Sequence, residues 1–249
     1  MSDVRHTPIA RTMVQVLPAG GGVDAHRHDE NQIVYAGRGV LSVTTDAGRW
    51  IAPENRAIWV PAGTVHEHRA YGETELHTVG LPATVNPLGL DAPAVLAVGP
   101  LLGELLRTLT REHALQPADS SGPNRRLRAV LLDQLRDTSR QPIRLPTPRD
   151  PRLAALCGLL HGDPSDNRTL AAFGAQVGAS KRTLSRLFRT ELGMTFPQWR
   201  TQLRLHNALI LLAENAPVTA VAHRCGWASA SAFIDVFRST FGHTPGRRH

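Results

Sequence analysis

The stretch Ser180-Lys-Arg-Thr-Leu184-Ser-Arg-Leu187-Phe188-Arg-Thr-Glu-Leu192-Gly193-Met-Thr195 decides the reading of the chain, because it occurs twice. Forty-nine residues later stands Ser229-Ala-Ser-Ala-Phe233-Ile-Asp-Val236-Phe237-Arg-Ser-Thr-Phe241-Gly242-His-Thr244. In each copy the serine fits a helix N-cap, its hydroxyl accepting from the backbone N–H groups that follow. Apolar residues then fall at i, i+3, i+4 and i+8, a single buried stripe. A glycine directly after the stripe supplies the left-handed C-terminal cap. A shorter helix with matching marks precedes each copy: Leu170, Phe173, Gly174, Val177 and Gly178 correspond to Val218, Val221, Ala222, Cys225 and Gly226. Helix, glycine turn and capped second helix form the helix-turn-helix pattern, whose second helix enters the DNA major groove. One such unit would also fit a plain helical hairpin; two in register within one basic region point to DNA. The units are predicted over about 169–191 and 217–240.

Between the units, Phe196 to Glu214 reads as one helix, capped by Thr195 and stopped at Asn215-Ala-Pro217. Nineteen residues at a 1.5 Å rise span roughly 28 Å. Successive major-groove faces on one side of a duplex lie about 34 Å apart. A rigid spacer near this length can set two recognition helices into neighbouring grooves.

Charge follows the same division. The 249 residues carry a formal net charge of +7, and 27 of the 28 basic residues are arginine, Lys181 being the exception. Codon bias explains a preference for arginine, whereas clustered cations make the footprint of a polyanion binder. Residues 1–149 are net +1 and residues 150–249 net +6, so the excess lies with the repeat. Between them, Gln141-Pro-Ile-Arg-Leu-Pro-Thr-Pro-Arg-Asp-Pro151 has four prolines in eleven residues, a composition that favours an extended linker. No run approaches the roughly 18–20 apolar residues of a membrane span. The N-terminus lacks the apolar core of a signal peptide. Cys157 and Cys225 are spaced for neither a metal site nor a disulfide framework. A soluble cytoplasmic protein without membrane contact is expected.

The C-terminal hundred residues resemble the DNA-binding domain of AraC/XylS-type bacterial transcription regulators over their whole length. The motifs are Ser180-x-Arg182-x-Leu184-x-Arg186-x-Phe188, the helix opening at Phe196-Pro-Gln-Trp199-Arg200, and Gly226-Trp-x-Ser229-x-Ser231-x-Phe233-x-x-x-Phe237-Arg238 with Phe241-Gly-x-Thr244-Pro245. The resemblance implies that Arg182, Ser185 and Arg186 read bases, while Ser180, Lys181 and Thr183 lie near phosphates. Arg189 shares their outward face, opposite the stripe. Arginine can pair bidentately with guanine, worth roughly 1–3 kcal/mol of discrimination. In the second unit Ser229 caps a helix whose outward residues are Ala230, Ser231, Ile234 and Asp235, the last standing where Arg186 does in the first. A carboxylate there faces a polyanion, so the second helix is expected to contribute backbone contacts and weak base readout.

The N-terminal part has strand-like runs, Gln32–Tyr35, Val40–Thr45, Ala57–Val60 and Leu76–Leu81, broken by Gly, Pro and Asp-Ala-Gly turns. His26-Arg-His28 lies on one such strand, and alternation sends both imidazoles to one face. The spacing Gly20-x5-His26-x-His28-x3-Gln32-x6-Gly39, with Pro61-x-Gly63-x2-His66, resembles the two motifs of the cupin β-barrel over about residues 12–82. In metal-binding cupins these positions hold three His and a Glu; here His26, His28 and His66 match while Gln32 replaces the Glu. Three imidazoles and an amide can hold a divalent metal with one less negative charge, and a metal-free effector pocket fits the same barrel. His68 is a possible substitute ligand, and His77 reads as an ordinary strand residue. Residues 94–115 and 124–138 read as leucine-rich helices that pack on the barrel or serve a homodimer.

The fold expected is thus α+β in two domains. Residues 1–140 form a cupin-like antiparallel β-barrel with trailing helices over about 94–138; 141–151 are a Pro-rich linker; 152–249 form an all-α double helix-turn-helix. The function expected is a non-enzymatic, sequence-specific regulator of transcription whose affinity for double-stranded operator DNA responds to a small molecule or metal in the barrel, with RNA polymerase a further partner open to it. The alternative is a cupin-type metalloenzyme, an oxygenase or isomerase, with a DNA-binding appendage.

Overall fold

The computed structural model describes residues 4–115, 122–141 and 143–246. Chain packing divides it into two compact units, Met1–Arg144 and Leu145–His249.

The first unit is a cupin-like sheet. Its strands are β1 (Arg5–Thr7), β2 (Met13–Leu17), β3 (Gly22–His28), β4 (Asn31–Thr45), β5 (Gly48–Pro53), β6 (Arg56–Val60), β7 (His66–Leu81), β8 (Ala94–Ala97) and β9 (Arg140–Gln141). β1 and β3 pair parallel; the pairs β2–β7, β3–β7, β4–β5, β4–β6, β4–β7, β6–β8 and β8–β9 run antiparallel. The runs Gln32–Tyr35 and Val40–Thr45, expected as separate strands, belong to the single strand β4, and Leu76–Leu81 is the end of β7. Gly37 and Gly39 do not interrupt β4; the ladder with β7 shifts register between Ala36 and Arg38 and again between Arg38 and Val40. Such bulges bend a strand without ending it. One long strand can therefore pair with β6 through Gln32–Tyr35 and with β5 through Val40–Thr45.

The helix expected from residue 94 begins instead at Pro100: α1 is Pro100–Leu115 and α2 is Pro123–Arg136. Ala94–Ala97 is β8, paired with β6. A short apolar run fits strand or helix equally by periodicity, and proline, with its fixed φ and missing N–H, fits the first helical turn. Leu102, Leu105, Leu106 and Leu109 of α1 and Leu131 and Leu135 of α2 pack on Ile33, Tyr35, Trp59, Val79 and Leu81 of the sheet.

His77, expected as an ordinary strand residue, joins the sheet to α1. Its side chain is wholly buried, with Nε2 2.9 Å from Glu75 Oε1 and Nδ1 2.6 Å from Thr110 Oγ1. A carboxylate can only accept, so in the neutral ring Nε2 carries the proton; the Thr110 hydroxyl also donates to the Leu106 carbonyl at 2.8 Å.

From Pro151 onward the second unit is helical. Its helices are α3 (Pro151–Gly162), α4 (Leu170–Val177), α5 (Lys181–Leu192), α6 (Phe196–Ala213), α7 (Val218–Arg224) and α8 (Ala230–Phe241). The end of the Pro-rich stretch is not free: Arg149 and Asp150 donate their backbone N–H groups to Glu191 Oε2, and Asp150 caps α3. Leu153, Leu156, Leu160, Phe173, Leu184, Phe188 and Trp199 share one core. In the second helix-turn-helix, the rings of Phe233 and Phe237 meet edge-on and those of Phe237 and Phe241 tilted, with centroids 5.5 and 4.5 Å apart.

Arg204 of α6 links the two helical pairs. It is 7% exposed; its Nε donates to the Pro164 carbonyl at 3.1 Å and its Nη2 to Asn167 Oδ1 at 2.9 Å. Its guanidinium also lies 5.9 Å from the centre of the Trp227 ring, just past the second turn. Replacing Arg204 by Met leaves both acceptors short of a charged donor, worth about 1.5–3 kcal/mol each. Thermal unfolding should register the loss; a change near zero would show that the link carries no stability.

Burial holds the His77 imidazole below the ordinary value of 6.5, so the folded state favours its neutral form. Below about 6.5 the unfolded chain then binds the proton more readily, and stability falls with pH. The stability advantage of wild type over His77→Gln should accordingly be full above pH 6.5 and shrink on acidification. Urea unfolding at neutral and mildly acid pH tests this; a constant difference would refute it.

Candidate nucleic-acid interface and histidine cluster

The first helix-turn-helix is built by local chemistry. Thr169 caps α4 by accepting from Ala172 N–H, and Gly178 ends it in the left-handed conformation at φ 67°. The turn leading into α5 packs so closely that a Cβ at Gly174 would lie 2.3 Å from the Ala179 carbonyl oxygen. Ser180 caps α5 by accepting from Thr183 N–H at 3.1 Å, so its hydroxyl already serves the helix. Leu184, Leu187, Phe188 and Leu192 are buried. Lys181, Arg182, Arg186 and Arg189 are exposed, and Thr183 and Ser185 half-buried. Five of the residues assigned to DNA by sequence thus form one outward face with Arg189, and Ser180 stands at its N-terminal end.

The second unit repeats this geometry with different chemistry. Ser229 caps α8 by accepting from Ala232 N–H at 3.1 Å, and Gly242 closes it at φ 81°. Ser231 and Asp235 are exposed, while Ala230 and Ile234 are half-buried. Apart from Arg238 in its last turn, the face carries no cation and one anion.

Beside α5 runs a feature that sequence reasoning did not find. A cleft of about 700 Å³ is lined by Thr169, Lys181, Arg189, Thr195 and Arg200, among others. The N-termini of α4 and α6 both open into it, and α6 carries a full capping box between Thr195 and Gln198. Helix N-termini with cations beside them favour anions such as phosphate. The caps were legible; that two of them meet beside Lys181 was not.

In the first unit, four histidines gather across the β3–β7 ladder, where His26 stands opposite His66. Ring centroids lie 4.3 Å apart for His26–His66, 5.0 Å for His28–His66 and 5.0 Å for His66–His68. Alternation along β7 turns His66, His68 and Ala70 inward and Glu67 and Arg69 outward. The ligand atoms of His26, His66 and His68 all lie within 4.8 Å of one another. Of the four residues the cupin motif singles out, His26 and His66 are in this set, His28 adjoins it, and Gln32 stands beside His28.

The donor chemistry fits a metal. Nδ1 of His26, His28 and His66 bonds the carbonyls of Asp24, Glu30 and Thr64 at 2.8, 2.6 and 2.9 Å. A carbonyl only accepts, so in neutral rings each Nδ1 carries the proton and each Nε2 keeps its lone pair. Nε2 of His66 is buried with no hydrogen-bond partner, as are both ring nitrogens of His68. Burial pushes His66 down to about 3 and His68 and His28 below their ordinary value, keeping all three neutral near pH 7. Burial also pushes the Cys157 and Cys225 thiols up, to about 12 and about 11, so neither is a ready ligand or nucleophile.

Residues 173–248 match a family described as a helix-turn-helix domain, and residues 13–81 one described as a cupin domain. The chain is 32% identical over 225 residues to the HTH-type transcriptional regulator NimR of Escherichia coli strain K12, covering 89% of this chain and 80% of NimR. It is 37% identical over 101 residues to the HTH-type transcriptional regulator RipA of Corynebacterium glutamicum, covering 41% of this chain but 30% of RipA. A solved AraC-type regulator from Chromobacterium violaceum aligns at 28% identity and a TM-score of 0.36, over 38% of this chain and 86% of that one. With a paired helix-turn-helix at one end and a cupin sheet at the other, the chain belongs to the AraC-type family of transcription regulators.

Proposed function

We propose that this regulator binds its operator mainly through α5, with α8 as a weaker second contact, and that the cupin unit sets the affinity by binding a metal or small molecule. The observation that carries the reading is the outward face of α5, four cations on a capped helix whose other face is wholly buried. Arg182, Ser185 and Arg186 read bases; Lys181, Thr183 and the cap at Ser180 meet phosphates, with Arg189 beside them. On α8, Ser229, Ala230, Ser231 and Ile234 give backbone and apolar contacts, and Asp235 opposes the polyanion.

His26, His28 and His66, with Gln32 or His68, are the residues that would hold a divalent cation, which would supply a charged anchor for a ligand in the barrel. We infer no turnover there. Glu30 Oε2 already accepts from Ala10 N–H at 2.9 Å and Glu67 faces outward, so neither carboxylate lies among the imidazoles as a base. The rival metalloenzyme needs such a group. Leu101 and Val130 are 53% and 41% exposed on α1 and α2, which supports a homodimer through these helices. No described helix is long and apolar enough to cross a membrane; operator DNA and RNA polymerase as proposed partners support work in the cytoplasm. An effector can shift operator affinity only by binding the two states of the protein unequally.

The primary test is an electrophoretic shift of the full chain on the DNA upstream of its own gene, with and without chelator. Failure to shift any genomic fragment would overturn the reading. Arg186→Ala should weaken operator binding by about 1–3 kcal/mol and relax one base preference. Asp235→Ala should leave binding unchanged or tighten it. Equal losses at fixed salt would refute the unequal roles of the two helices.

A further inference from the structure

We propose that His68, and not Gln32, completes the metal site with His26 and His66, so that a borderline divalent cation is held by neutral imidazoles alone. The inference rests on the reading that the cupin unit takes a metal. Its ground is the placement of donors. The ligand atoms of His26, His66 and His68 lie within 4.8 Å of one another. Two nitrogens at zinc-like bond lengths of about 2.0–2.1 Å sit roughly 3.3 Å apart around a tetrahedral ion. Small side-chain rotations close that difference.

His68 is buried, and neither of its ring nitrogens has a hydrogen-bond partner. An imidazole always has one lone pair and one N–H to satisfy, so an inward-facing ring with nothing to bond is costly unless a ligand arrives. Gln32 is differently placed: its side chain bonds His28, a ring outside the triad. The nearby carboxylates are engaged or turned away: Glu30 accepts from Ala10, Asp29 pairs with His6 at 3.0 Å, and Glu67 is exposed.

The absence of a carboxylate among these donors decides the class of ion. Magnesium and calcium require oxygen donors, whereas zinc, nickel and cobalt accept imidazole. Three neutral ligands also leave the cation its full charge, so its open position favours an anionic group. The imidazole that completes the triad thus comes from β7, two residues beyond His66.

The test uses the full chain, stripped by chelator and titrated with Co2+ followed by visible absorption. One equivalent is expected to bind. His68→Ala should weaken binding by roughly 100-fold or more, while Gln32→Ala should change it less than about threefold. Thermal unfolding of the metal-free variants separates ligand loss from misfolding. His68→Cys gives an independent signature, a near-ultraviolet thiolate-to-cobalt charge-transfer band, because a sulfur at position 68 would touch the ion. Wild type that binds cobalt, with His68→Ala unaffected or His68→Cys lacking the band, overturns the inference and leaves the metal-sensing reading intact. Wild type that binds no cobalt overturns both, without touching DNA binding.

Discussion

At the crossing of α4 and α5 the backbone of one helix reaches the loop that starts the next, and a single methyl at Gly174 would lie 2.3 Å from the Ala179 carbonyl. The placement of α5 against α4 depends on that close approach. It fixes the angle at which α5 leaves the turn, which buries Leu184, Leu187 and Phe188 and so turns Lys181, Arg182 and Arg186 outward. Packed interiors are not continuously deformable. A larger residue at 174 would shift the recognition helix as a body rather than open a local bump.

The rest of the helical unit carries that geometry from one recognition helix to the other. The intervening helix α6 has eighteen residues, about 27 Å at the usual rise, and its capping box fixes where it starts. Arg204, halfway along, ties the loop before α4 to the turn before α8 through neutral acceptors and an aromatic face. A buried guanidinium without a carboxylate is retained at a desolvation cost, and what it secures is the register of the two units. α5 and α8 are therefore alike in backbone and unlike in charge.

In the cupin unit the corresponding constraint is the pairing of β3 with β7. Antiparallel register puts His26 opposite His66, and the two-residue period of each strand brings His28 and His68 to the same side. Backbone carbonyls then orient three of the four rings through Nδ1. Bulges at Gly37 and Gly39 let β4 serve two partner strands, and His77 with Thr110 fixes α1 on the outside.

Much of this was legible in the amino-acid sequence because it rests on interactions a few residues apart. Serine caps, glycine stops and apolar stripes set both helix-turn-helix units and the face of each recognition helix; the sign of charge at Arg186 and Asp235 needed no coordinates. The histidine pair His26 and His28 followed from strand alternation. What the sequence could not decide depended on residues far apart in the chain. A strand-length apolar run at Ala94–Ala97 has no period of its own, and β6 determined that it pairs rather than coils. His26 comes from a strand about forty residues before His68, so only the β3–β7 register shows that the two rings meet. Local hydrogen bonding and periodicity are written in consecutive residues; the meeting of side chains across a sheet is set by how the strands register, and that exists only once the chain has folded.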